Sequence, residues 1–187
     1  MKISITPATF IMFVCMIATM PMRQLSACLL ASILHECGHV LAAKYLQINL
    51  SQMKLDILGA RLVTTGKLCS YPAMVVLCLS GPIVNLCCFA LTLPLMDKYV
   101  WFREFCVSSL SLGFVNLIPI EGFDGGRILQ GILSAVFPLP TVERTCSILS
   151  FICLLVMWLL SVWLLLCTGS SLTLFVFSCC LFAMLFV

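Results

Sequence analysis

Charge is what this chain has least of. Only 9% of its 187 residues are Asp, Glu, Lys or Arg, against 63% hydrophobic, and the mean hydropathy is +1.21. That balance excludes an ordinary soluble domain and points to a protein that crosses a bilayer several times. The ten basic residues are scattered along the chain and the net charge is only +3. No run of them is dense enough to track a phosphate backbone, so nucleic acid is excluded as a partner and the lipid bilayer is expected as one. The thirteen cysteines include no Cys-x-x-Cys pair. Most sit inside apolar runs (Cys78, Cys87, Cys88, Cys153, Cys179, Cys180), where a thiol packs as a small hydrophobe, and this argues against a zinc ribbon or a disulfide framework. Internal repeats and low-complexity linkers are also missing, so residues 1–187 are expected to form a single integral membrane domain.

What the chain does have is length in its apolar runs. A membrane helix needs about 20 such residues, and on that measure six spans are expected in an all-α membrane protein, near 5–22, 24–46, 72–96, 101–119, 145–167 and 170–187. Lys2 ahead of the Ile11–Met20 stretch imitates a secretory signal, but no small-residue cleavage site follows, so an uncleaved helix is expected. Between the second and third spans, Met53, Leu55 and Ile57 alternate with Gln52, Lys54 and Asp56 before Gly59. Period-two alternation broken by glycine predicts a short membrane-associated β-hairpin over 48–66. After the fourth span, IEGFDGGR (120–127) interrupts the apolar run, a second short helix is expected over Arg127–Phe137, and Pro138 and Pro140 mark a turn. With the N-terminus in the cytoplasm, Lys2, Lys44, Lys54, Arg61, Lys67, Arg127 and Arg144 fall inside and Arg23, Lys98 and Arg103 outside. The excess of basic residues inside favours both termini in the cytoplasm of a multi-pass cell-membrane protein. It also brings the polar positions of spans two and four to a similar depth, nearer the cytoplasmic side.

Those positions raise the functional question. ILHECGHVLAA (33–43) places two histidines and a glutamate inside an apolar helix, where an ionised carboxylate costs roughly 2.5–3.5 kcal/mol on insertion scales and usually marks function. His35 and His39 are the only histidines in the chain. Their i, i+4 spacing stacks both imidazoles on one helix face, within reach of one metal ion, and Glu36 sits one residue round, placed to act on a water at that ion. A catalytic zinc site of this kind takes three protein ligands, so a third must come from elsewhere. Among the other acids, Asp124 and its neighbour Glu121 lie in a glycine-flanked, non-helical segment at the matching depth, and irregular backbone there is tolerated only where protein buries it or water reaches it. Asp124, followed by Gly125 and Gly126, is the favoured ligand, with Glu121 as its rival.

HECGH (His35 to His39) in a second span, with NLIPIEGFDGG (Asn116 to Gly126) ending a fourth, resembles the site-2 protease family of intramembrane zinc metalloproteases. The resemblance extends over the whole chain in span order. It implies one Zn2+ per chain held by His35, His39 and Asp124, with Glu36 as general base and Asn116 as a catalytic polar group near the substrate or oxyanion. SGPIVN (80–85) is similar to the family's third span, where Pro82 should kink the helix and Gly81 and Asn85 form a small polar face suited to packing. The implied substrate is a membrane-tethered or membrane-associated regulatory protein, such as a sigma-factor precursor or an anti-sigma factor. The compact form, without a PDZ-like insertion or nucleotide-sensing domain, resembles the sporulation-type branch and leaves any regulation to a membrane partner. The 48–66 hairpin could offer an edge strand to an extended substrate, or serve as a lid at the membrane face. A metal transporter and a non-catalytic scaffold remain the alternatives, although a transporter would want polar residues along several spans and a scaffold would not need Glu36.

Overall fold

A computed structural model describes residues 2–5, 14, 16–48, 50–56, 59–64, 70–168 and 172–184. The elements run β1 (Lys2–Ile5), α1 (Met22–Tyr45), β2 (Leu50–Asp56), β3 (Gly59–Thr64), α2 (Tyr71–Thr92), a 3-10 turn (Leu93–Leu95), α3 (Val100–Asn116), α4 (Asp124–Ser134), α5 (Leu139–Thr168) and α6 (Leu172–Met184). The protein is mostly helical. Helices α1, α2 and α3 pack against one another, α4 lies on α2, and α5 packs on α4 and α6. The strands form one sheet in the order β1-β2-β3, with β1 parallel and β3 antiparallel to β2. The parallel strand from the N-terminus has no counterpart in the sequence expectations. Half of the first expected span, 6–13 and 15, lies outside the described residues.

Three of the described helices are long and apolar enough to cross a membrane: Met22–Tyr45, Tyr71–Leu95 and Leu139–Cys167. They coincide with the expected spans 24–46, 72–96 and 145–167. Helix α3 has 17 residues and the described part of α6 has 13. At 1.5 Å per residue these are about 26 and 20 Å long, less than the roughly 30 Å hydrocarbon core. Helix α1 shows why such a chain folds in lipid. Apart from Leu25, its buried positions are small or polar (Ala27, Ala31, His35, Gly38, His39, Ala43), while Ile33 and Leu41 face outward, 59% and 65% exposed. Large apolar side chains lose nothing in lipid, so close helix contact is left to small residues. A Cβ added to Gly38 would come within 2.8 Å of the Ser80 carbonyl oxygen on α2, which sets how closely the two helices approach.

The segment after α3 departs from expectation. Residues 117–123 leave the helix, and Gly122 has φ 99°, the left-handed region open to glycine. Ile120 and Phe123 bury against Leu154 of α5 and Leu181 of α6, and the Glu121 amide donates to Ser150 Oγ at 2.7 Å. The loop is thereby tied to α5. Helix α4 then begins at Asp124 rather than at the expected Arg127, and it ends at Ser134 rather than Phe137. Asp124 therefore occupies the first turn of a helix, where the exposed N–H groups favour an anion, and not the non-helical turn that Asp-Gly-Gly suggests. The glycines serve packing: a Cβ on Gly125 would overlap the Leu117 carbonyl, and one on Gly126 the Ile120 carbonyl. The Pro138/Pro140 turn is shorter than expected, because α5 starts at Leu139 and takes Pro140 into its first turn, where the missing N–H breaks no helical bond.

Candidate metal centre

The centre is built from three helices. His35 and His39 project from one face of α1, and the start of α4 brings in Asp124, 89 positions away from His35 in sequence. All three are at least nine-tenths buried. His35 Nε2 and His39 Nε2 lie 3.1 and 3.2 Å from Asp124 Oδ2, and 3.1 Å from each other. Three potential ligand atoms thus form a nearly equilateral triangle.

Hydrogen bonding around the triangle sets what these atoms present. His39 Nδ1 is 2.8 Å from the Leu77 carbonyl oxygen of α2, which can only accept, so Nδ1 carries the proton and Nε2 of the neutral ring presents a lone pair. Ser80 braces the same carbonyl, its Oγ donating to Leu77 O at 2.6 Å while lying 3.3 Å from His39 Nδ1. The lone pair of His39 consequently faces a carboxylate oxygen at 3.2 Å. A proton held between them or a metal cation reconciles two acceptors at that distance.

Space and spacing both suit a metal. Tetrahedral zinc with bonds of about 2.0–2.1 Å separates its ligand atoms by roughly 3.3–3.4 Å, so edges of 3.1–3.2 Å are close to one face of such a site. Gly81 of α2 keeps the room: a Cβ there would sit 2.5 Å from His39 Nε2 and 2.7 Å from His35 Nε2. Two nitrogens and one carboxylate oxygen are also a donor set that zinc accepts with a fourth position open. The residues fit the ion.

Glu36 follows His35 on α1, half-buried, with one carboxylate oxygen shielded from solvent. Asn116 ends α3 and donates from Nδ2 to the Leu112 carbonyl of its own helix at 3.1 Å, so its amide is bound locally rather than to the triangle. Glu121, the rival ligand, is exposed and lines a separate cavity of about 410 Å³ with Arg127, Gln130, Glu143 and Cys146. Sequence reasoning missed the roles of Leu77 and Ser80, and it read Asn85 as a packing residue. In the structure Asn85 is fully buried, with Nδ2 3.1 Å from His35 Nδ1. A polar residue inside an apolar span, one turn after Gly81, was the available signal.

Residues 66–160, just over half of the chain, match the profile of peptidase family M50. The chain belongs to peptidase family M50. Membership makes it a membrane metalloprotease by family, with the buried His-His-Asp group in place. No curated protein matches the chain. Among solved structures it is similar to the Site-2 Protease from Methanocaldococcus jannaschii, with a TM-score of 0.72 and 20% sequence identity over 94% of this chain and 88% of that one. At that identity the likeness is one of fold. Its 94% coverage takes the likeness of fold beyond the matched residues 66–160.

Proposed function

We propose that this M50 member is an intramembrane zinc protease that hydrolyses a peptide bond in or near the transmembrane segment of a membrane-tethered regulatory protein. The observation that carries this reading is the buried triangle of His35, His39 and Asp124, set between helices long and apolar enough for a bilayer. In it, His35, His39 and Asp124 hold the metal. Zinc held there would supply Lewis acidity toward the scissile carbonyl and toward the attacking water. Glu36, one residue from His35, takes a proton from the attacking water and returns it to the leaving amine. Asn116 steadies the developing oxyanion once its side chain leaves the Leu112 carbonyl, a rotation about its own χ angles. Leu77, through its carbonyl, keeps the His39 ring in the tautomer that ligation needs.

The finer picture is a six-span protein with both termini in the cytoplasm and the centre nearer that side, where seven of the ten basic residues would lie. A sigma-factor precursor or anti-sigma factor suits such a site, because a shielded helical carbonyl must be unwound before attack and a tethered regulatory protein presents a membrane-border segment that can extend. In this picture the β2–β3 segment offers an edge to that extended stretch. The test is cleavage of membrane-tethered candidates by purified protein in proteoliposomes. Fragments that appear with wild type and disappear with Glu36→Gln are expected. Identical fragments from both proteins would refute the catalytic assignment.

A further inference from the structure

Asn85 carries more than packing. It lies on α2 with no exposed surface, its Nδ2 is 3.1 Å from His35 Nδ1, and its Oδ1 is buried with no hydrogen-bond partner among the described residues. A polar atom left unpaired in so dry a place costs about 1–3 kcal/mol. The arrangement has a definite chemical meaning. An amide can donate or accept and the neutral ring carries one proton, so the pair has two settings: Nδ2 donating to His35 Nδ1 with the ring proton on Nε2, or Oδ1 accepting from Nδ1–H with Nε2 free. Only the second setting turns the Nε2 lone pair on a metal ion, because a ligating nitrogen has to present it.

We infer that Asn85 is a positioning residue for His35: with its side-chain amide turned so that Oδ1 faces the ring, an exchange of Nδ2 and Oδ1 that leaves their volume unchanged, it selects the Nδ1–H tautomer, whose Nε2 lone pair is free for the metal. After the turn, Oδ1 accepts from His35 Nδ1–H, just as the Leu77 carbonyl accepts from His39 Nδ1–H. The two rings are then held alike, one by a fixed backbone carbonyl and one by a side chain able to reverse. The asymmetry is in the structure itself: the nearest partner of His39 Nδ1 is a backbone carbonyl that can only accept, and that of His35 Nδ1 is an amide that can do either.

This inference rests on the metal-site reading above, and its test reads metal affinity rather than proteolysis. The measurement is the zinc dissociation constant of full-length protein in detergent, by competition with a chromophoric chelator, for wild type, His35→Ala, Asn85→Leu and Asn85→Asp, with thermal unfolding as the check on folding. Outer-shell partners of ligating histidines are worth about 10–100-fold in metal affinity. Asn85→Leu, which keeps the volume but can accept nothing, is expected to weaken zinc binding by that factor. Asn85→Asp, which can only accept, is expected to bind zinc as tightly as wild type or more tightly. A merely structural Asn85 reverses the order, because leucine would be tolerated and a buried carboxylate would not. Folded Asn85→Leu that binds zinc like wild type overturns the inference. If Asn85→Leu does not fold, Asn85→Asp decides alone, and weakening of tenfold or more sinks the idea. Wild-type protein that binds no more zinc than His35→Ala overturns the metal site itself, and the role of Asn85 with it.

Discussion

Gly81→Ala is the smallest change that should empty the metal centre. The added methyl would lie 2.5 and 2.6 Å from Nε2 and Cε1 of His39 and 2.7 Å from Nε2 of His35, well inside contact distance for carbon and nitrogen. The rings cannot retreat together, because His39 is held by the Leu77 carbonyl and His35 by Asn85. In metal-free protein one ring can rotate and surrender its bond. In loaded protein both nitrogens must converge on the ion beside the methyl, so the steric cost falls mainly on the loaded state. Overpacking a tight site by one methyl typically costs 1–3 kcal/mol. At 1.4 kcal/mol per decade this weakens zinc binding by about 5- to 150-fold. Zinc per chain by elemental analysis after dialysis against a weak chelator, together with chelator competition, reads the effect. Gly113→Ala is the matched control, since its methyl would meet nothing closer than 3.4 Å. Gly81→Ala that keeps one zinc per chain at wild-type affinity would refute the packing argument and the placement of the ion beside α2.

Asp124→Ala should abolish stoichiometric zinc while Glu121→Ala retains it, because the first is in the triangle and the second lines a separate cavity; equal zinc in both would remove Asp124 from the site. Glu36→Gln should bind zinc within about threefold of wild type, as expected for a residue outside the ligand set, and lose about 10²–10⁴-fold in cleavage rate, so lost zinc would mark it as a ligand instead. Gly125→Ala, whose methyl would overlap the backbone carbonyl of Leu117, should lower stability by about 1–3 kcal/mol and weaken zinc by shifting Asp124; an unchanged unfolding temperature would show that the 117–123 loop gives way. Stripping wild-type protein with a strong chelator should end cleavage, and one equivalent of zinc should restore it; activity that survives stripping would exclude a metal-dependent reaction.

How much of this was legible in the sequence follows from the range of each interaction. The pairing of His35 with His39 is set by helical spacing within one turn and a half, so a local pattern suffices to place both rings on one face. The choice of Asp124 over Glu121 is not local. Both acids share one glycine-rich segment, and they part only because Ile120, Phe123 and the Glu121 amide are anchored on α5 and α6, which starts α4 at Asp124 and leaves Glu121 outside. The same anchoring explains the misplaced helix start. Asp-Gly-Gly has turn chemistry in isolation, but here the glycines let the first turn of α4 lie against the Leu117 and Ile120 carbonyls.

The sequence by itself determined that the protein belongs in a bilayer and that its scarce ionisable groups mark a site, because burying charge in an apolar span is costly whatever the fold. It also determined the chemistry on offer, two imidazoles one turn apart and a carboxylate between them. Only the tertiary structure decided which atoms complete the site. Leu77, Asn85 and Asp124 reach the two histidines across 38, 50 and 89 residues of sequence, and Gly81 matters solely for what lies opposite it. Contacts of that range depend on which helix faces meet and how closely, and small residues at Gly38 and Gly81 set that distance without carrying any chemical signature of their own.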